Sequence, residues 1–278
     1  MKARLMLPLL VLALGGLGLG GCAPEVVRRP TQLTPLPDQP GRTIEIVENA
    51  SIRVGPGYQR VIGRGSIWTR VGRSAEGEVF KPVDRVFTVE GAHIHEAYLV
   101  LDGDRVVGFY LPVERAFSPV RRSGDATIHA EEAAMTIRRG LFAAAVLLVA
   151  GCASGPKYTE VVSTIPSLAP AQGRIYFYRP SALGAAVQPE INLNGQKVGT
   201  AKPHGFYFVD RAPGNYEVSA ATETEKKLTF TLESGQERFV RLKIQLGVFV
   251  GRIVPELVDK AEAEGELKDL SLIAEPLK

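Results

Sequence analysis

Two hydrophobic patterns divide this chain. From Leu5 to Leu19 and from Gly140 to Ala150 the residues are apolar or glycine with no polar face, whereas elsewhere apolar and polar side chains alternate in short stretches. Alternation with a period of two is the signature of strands that bury one face. Ile44 and Ile46, Ile52 and Val54, and Ile67 follow it, and Phe80 to Val89 and Ala97 to Leu101 add short apolar runs. The clearest hairpin joins Ala97 to Leu101 with Arg105 to Leu111 through Asp102-Gly103-Asp104, a tight-turn sequence. Further along, Asn194-Gly195 suits a type I′ turn between Glu190 to Leu193 and Lys197 to Gly199. Pro213-Gly214 marks a reversal, and Ser234-Gly235 joins Leu228-Phe230-Leu232 to Val240-Leu242-Ile244. After Gly251, Pro255 to Ala263 predicts a short helix with Pro255 in its first turn and Gly265 as its stop, Leu257 and Val258 covering a sheet edge or end.

The two unbroken runs are too short to cross ~30 Å of hydrocarbon at 1.5 Å rise per residue. Lys2 and Arg4 precede the first, which closes on Leu19-Gly20-Gly21-Cys22; Arg138 and Arg139 precede the second, which closes on Val149-Ala150-Gly151-Cys152. A basic start, an apolar centre and small residues at the exit describe a signal peptide. The final tetrapeptides resemble the lipobox of bacterial lipoproteins. That resemblance implies cleavage after Gly21 and Gly151, a diacylglyceryl group on the thiols of Cys22 and Cys152, and acylation of the freed amines by a fatty acid such as palmitate. Two or three acyl chains hold a protein on a bilayer far better than one. Ala23 and Ala153 follow the cysteines; under the enteric sorting rule, the lack of Asp there directs the protein to the periplasmic face of the outer membrane.

The internal run has competing readings. As a transmembrane helix it is short and puts Arg138 and Arg139 on the wrong side; as a core helix it lacks a polar face. As a fresh start at Met135 it follows Glu131-Glu132-Ala133, which purine-rich codons can encode. A twin-arginine export route through Arg138-Arg139 is matched only by the arginine pair itself. The repetition favours two fused or adjacent lipoproteins, Met1 to about Ala134 and Met135 to Lys278. The expected order is a signal peptide over 1–22, a Pro-rich tether over 23–42, a small β domain over 43–120 and a linker over 121–134. A second signal peptide over 135–151, a tether over 152–172, a β-sandwich over 173–254 and a C-terminal helix and tail over 255–278 follow. The fold class is all-β: two small antiparallel β-sandwich or barrel domains, with helical signal segments and a short C-terminal helix. Prolines 24, 30, 35, 37 and 40 favour an extended first tether.

Beyond the second tether the chain reads Gly173-Arg174-Ile175-Tyr176-Phe177-Tyr178-Arg179-Pro180, then Ile191-Asn192-Leu193-Asn194-Gly195-Gln196-Lys197-Val198-Gly199, Phe206-Tyr207-Phe208-Val209-Asp210 and Ala212-Pro213-Gly214-Asn215-Tyr216-Glu217-Val218. This series, over about residues 173 to 272, resembles the bacterial lipoproteins of the domain-of-unknown-function 2846 family. The strand and turn pattern is also similar to small domains named after their Pro-Glu-Gly-Ala motif, which implies a sandwich. The segment from 1 to 134 resembles no family.

The remaining chemistry is sparse. Hydrophobic residues make up 45% and charged ones 23%, values of a globular chain, and a net charge of +3 with interleaved signs gives no footprint for nucleic acid. The two cysteines both end export signals, so none remains for a disulfide or a metal and each core must hold by packing. His93-Ile94-His95-Glu96 would set two imidazoles on one face of a strand, yet a metal needs a third ligand that the sequence does not identify. Trp68 with Tyr58 offers a ligand platform or, more simply, core. Arg174 and Arg179 either clasp a carboxylate or phosphate or cover apolar surface with their heads in water. His204, beside a glycine, reads as solvated. No nucleophile with a base, phosphate loop or paired carboxylates stands out, so neither a catalytic residue nor a cofactor is assigned. The expectation is a non-enzymatic binding or structural module in the periplasm, lipid-anchored and contacting an envelope protein, peptidoglycan or glycan. A metal-binding or hydrolytic protein using His93 and His95 is the alternative.

Overall fold

The structure is a computed structural model that describes residues 24–36, 41–54, 58–83, 85–120, 130–132, 153, 155–220, 225–246 and 251–273. In chain order the strands of the N-terminal half are β1 (Arg29–Pro30), β2 (Thr34–Pro35), β3 (Thr43–Ile46), β4 (Ala50–Val54), β5 (Tyr58–Ile62), β6 (Ile67–Arg73), β7 (Glu78–Pro82), β8 (Thr88–Glu90), β9 (Ile94–Glu96), β10 (Tyr98–Asp102), β11 (Arg105–Leu111), β12 (Ala116–Pro119) and β13 (Ala130–Glu132). The C-terminal half has α1 (Tyr158–Val161), β14 (Gly173–Arg179), β15 (Glu190–Leu193), β16 (Gln196–Thr200), β17 (Gly205–Arg211), β18 (Gly214–Ala220), β19 (Lys226–Leu232), β20 (Glu237–Leu246), β21 (Gly251–Val258), α2 (Lys260–Leu267) and β22 (Ser271–Leu272). The chain is all-β, as its alternation requires.

Among the described residues the N-terminal sheet has nine strands, in the order β1-β12-β11-β10-β7-β6-β3-β13 with β2 beside β6. Its expected central hairpin is present: Asp102 pairs with Arg105 across Gly103-Asp104, and Gly103 takes φ 61°. One face carries Trp68, Phe80, Leu99 and Phe109, and Phe87, just ahead of β8, packs on it, stacked on Phe109 at 5.2 Å and edge-on to Trp68 at 5.5 Å. Trp68 is therefore core, its indole N–H donating to the Ser66 hydroxyl at 2.9 Å; the side chain of Tyr58 lies outside the described residues.

The Pro-rich segment does not stand away from this body. It is extended, as proline demands, but Val26 enters the main core and Leu33 packs on the opposite face against Val79, Tyr98, Val100, Tyr110 and Phe117. Two apolar side chains were enough to dock it, and Pro30 and Pro35 lie in the short strands β1 and β2, where the missing donors are tolerated. The expected linker likewise contributes β13, paired to β3.

The C-terminal half is layered. A six-stranded sheet, β16-β15-β18-β19-β9-β8, packs on a five-stranded sheet, β21-β20-β14-β17-β22, through Ile175, Phe177, Val218, Phe230, Val240 and their neighbours. All of β14 is buried, because its other face, Tyr176 and Tyr178, lies beneath Tyr158 of α1 and Ala263 and Leu267 of α2. The second tether is thus also docked: Tyr158 meets Phe206 edge-on at 5.3 Å and donates its N–H to the Leu270 carbonyl at 2.9 Å. Asn194 and Gly195 both take positive φ, 49° and 78°, as a type I′ turn needs. Pro213-Gly214 and Ser234-Gly235 reverse the chain but pass it from one sheet to the other.

Among the described residues three pairings are parallel, β14 with β20, β17 with β22, and β19 with β9, where only antiparallel ones were expected. The C-terminal helix also begins later than Pro255. Pro255 sits within β21, opposite Leu242, at the edge of its sheet, a position that spares the ladder the absent N–H. Gly265 lies inside α2 with open space where a Cβ would be, so nothing there compels a stop.

Candidate functional site at the joint of the two halves

The six-stranded sheet is built from both halves of the chain. Its first four strands belong to the C-terminal half, and β9 and β8 are a hairpin of the N-terminal half, with Ile94 beside Leu228 and His95 beside Thr229. Alternation along β9 decides where its side chains go. Ile94 enters the C-terminal core, and His95, on the other face, is 2% exposed and belongs to a polar cluster.

Each ring nitrogen of His95 faces a carboxylate: Nδ1 lies 2.6 Å from Glu114 Oε1 and 3.1 Å from the Thr229 hydroxyl, and Nε2 lies 3.1 Å from Glu25 Oε1. The Thr229 hydroxyl donates to Glu114 at 2.7 Å. Both ring nitrogens are thereby within hydrogen-bond reach of a carboxylate oxygen, one on each side of the ring. Burial pushes both carboxyls up, but hydrogen bonds from His95, joined by the Val26 N–H at Glu25 and the Thr229 hydroxyl at Glu114, outweigh it and hold both below their usual value.

One residue on, Glu96 is 3% exposed and is claimed entirely by the C-terminal half. It accepts from the N–H and hydroxyl of Thr231, each at 2.8 Å, and from the Arg238 guanidinium. Further links surround it: Lys226 with Glu90 at 2.6 Å, Lys81 with Glu233, and the Val86 N–H with the Asp259 carboxylate. Asp259 precedes α2 but forms no side-chain cap there. A cleft of about 600 Å³ lies between the halves, with Arg60, Trp68 and Arg85 on one side and Arg241, Asp259 and Glu262 on the other. Arg60 is held by the carbonyl and hydroxyl of Thr88, neutral acceptors, whereas the charge of Arg241 is compensated by Glu256, Glu262 and Glu266.

Most residues singled out in the sequence have other duties. His93 precedes β9 and accepts from the Lys227 N–H at 3.4 Å, so the two histidines have different partners. Among the described residues no group of three His, Cys, Asp or Glu side chains is arranged to hold a metal. Arg174 does clasp a carboxylate, but an internal one: it makes a bidentate pair with Asp210 at 2.6 and 2.7 Å beneath the Phe208 ring. Arg179 is fully buried, and its guanidinium donates to five carbonyls, those of Ser181, Leu183, Gly184, Val187 and Ala201. Neither head lies in water. Their signal was their place: in β14 they bracket Ile175-Tyr176-Phe177-Tyr178, three of which are aromatic. His204 is half-buried, with φ 52°, and its carbonyl accepts from Ser271. Gly21, Cys22, Gly151 and Cys152 lie outside the described residues. The joint itself was missed, apart from the notice taken of His95 and Glu96.

A relative from Haemophilus influenzae, described only as an uncharacterized protein, is 28% identical over 131 residues, which is 45% of this chain and 78% of that protein. No solved structure matches. Residues 170–253 match the family model described as a protein of unknown function, DUF2846. The matched segment runs from before β14 into β21, and by that similarity the body it forms is called the DUF2846 domain.

Proposed function

We propose that this chain is a bacterial envelope lipoprotein, or two adjacent ones, anchored through Cys22 and Cys152 on the periplasmic face of the outer membrane and serving as a non-enzymatic binding or structural module. The observation that carries this reading is the repeated sequence device: a basic start, an apolar run and a small-residue tetrapeptide ending in each of the two cysteines. The docked segments add a consequence. The Pro24 carbonyl already accepts the Ala92 N–H, and the Pro156 carbonyl the Leu272 N–H. Lipid on Cys22 or Cys152 is then separated from folded backbone by only a few residues, and the bodies ride close to the bilayer, within reach of envelope proteins or of the peptidoglycan strands facing it. His95, on which a metal or hydrolytic reading would depend, is buried with both ring nitrogens engaged.

Intact mass and N-terminal analysis of the products of the native gene test the proposal. Acylated species beginning at Cys22 and Cys152 are expected, with Cys22→Ser and Cys152→Ser each abolishing one. Mature material that partitions into water with free thiols overturns the reading.

A further inference from the structure

The outer edge of β19 is where the DUF2846 domain is incomplete without the other half. β18 covers one side of β19; the other side is covered by β9. Removing β9 would leave the Thr231 N–H and the ladder groups opposite Ile94 and His95 unpaired, strip Ile94 from the core, and leave the Arg238 guanidinium without its buried carboxylate. Leu228, Thr229, Phe230, Thr231 and Leu232 include no proline to blunt this edge, and an open strand of that kind pairs readily with another chain. The contacts that close it are side-chain specific: a buried carboxylate on β9 meets a buried guanidinium on β20, and a rim carboxylate, Glu90, meets Lys226.

We propose that the β8–β9 hairpin is a strand-donating dock, and that the N-terminal half and the DUF2846 domain form a one-to-one complex when the chain between them is severed. In the cell the complex would matter if the chain is divided ahead of Cys152, and to that extent it rests on the function proposed above. The docking stands apart from that division and is tested separately. The partner of the β19 edge is thus a second lipoprotein specified by the same stretch of sequence.

The test uses the full chain in detergent with a protease recognition sequence between Ala134 and Met135, cut to completion. At about 10 µM the two fragments are expected to elute together and to give a one-to-one mass by native mass spectrometry, as a contact of micromolar affinity or better requires. Lys226→Glu, at the rim where folding of either body is not at stake, should weaken association about tenfold or more; Glu90→Lys should do the same, and the two together should restore it. Fragments that separate at this concentration, folded or aggregated, overturn the proposal, as does a Lys226→Glu variant that binds as tightly as the parent. A single undivided chain from the native gene would instead refute the division ahead of Cys152 while leaving co-elution of the cut fragments as the measure of the dock.

Discussion

In the N-terminal sheet, strands that follow one another are mostly partners: β6 pairs with β7, β10 with β11 and β11 with β12. The DUF2846 domain is wired differently. β17 leads to β18 and β19 to β20 across the gap between two sheets, β14 finds β20 in parallel some sixty residues later, and one strand of the six-stranded sheet is borrowed from more than 130 residues upstream, as Glu96 and Thr231 illustrate with a separation of 135. Local hairpins cost little loop-closure entropy, whereas crossovers and parallel pairs depend on contacts made only late in chain order. The second body therefore leans on a few buried polar fasteners to fix which strand goes where, and those fasteners are where the two regions should respond differently.

The largest effect is expected at Arg179. Arg179→Leu leaves five carbonyls without their donor and should cost the DUF2846 domain more than about 4 kcal/mol. Hydrogen exchange should show protection lost across β14 and β17 while the β10–β11 hairpin keeps its own. Equal loss in both would mean that the two bodies unfold as one. Next comes the joint, where Arg238→Ala strands a buried Glu96 carboxylate at a cost of about 3 kcal/mol. The midpoint of urea unfolding should fall, and Glu96→Gln in the same chain should recover part of it. Ile94→Ala removes an apolar side chain of the N-terminal half from the C-terminal core and should cost about 2 kcal/mol, read from the same melt.

A smaller effect is expected from acid. Glu25 and Glu114 are held below their usual value in the folded protein, so the stability they contribute is present above the unfolded value of roughly 4 and is lost as pH falls through the lower folded value. Unfolding midpoints measured from about pH 6 down to pH 3 should fall toward the acid end, and Glu114→Gln should flatten that fall. Least of all should follow from Lys197→Ala, which breaks an exposed pair with Glu190 and should change stability by under about 0.5 kcal/mol.

Strand identity was legible because alternation survives in the sequence: Leu228, Phe230 and Leu232 point one way in β19 as their spacing demands. Turn chemistry was legible for the same reason, Asn194-Gly195 above all. Sheet membership was not. A turn such as Ser234-Gly235 looks alike whether the next strand pairs with the last or crosses to a facing sheet. Pro255 and Gly265 were read as helix punctuation, although an edge strand accepts the first and an open helix face the second. The docked tethers escaped notice because single side chains, Val26, Leu33 and Tyr158, fasten them, and isolated apolar residues form no pattern. The joint escaped because β9 is three residues long and its register is set by a strand far along the chain.

The strand that ends the five-stranded sheet has one more implication. β21 is a long outer strand, eight residues from Gly251 to Val258, and Pro255 interrupts its row of donors. Proteins tied to a lipid surface are confined to two dimensions and collide edge to edge far more often than they would in bulk. A rim broken in this way gives a colliding copy no continuous template to zip onto, so if the chain is lipid-anchored as proposed, crowding along the bilayer would not turn this face into a fibre seed.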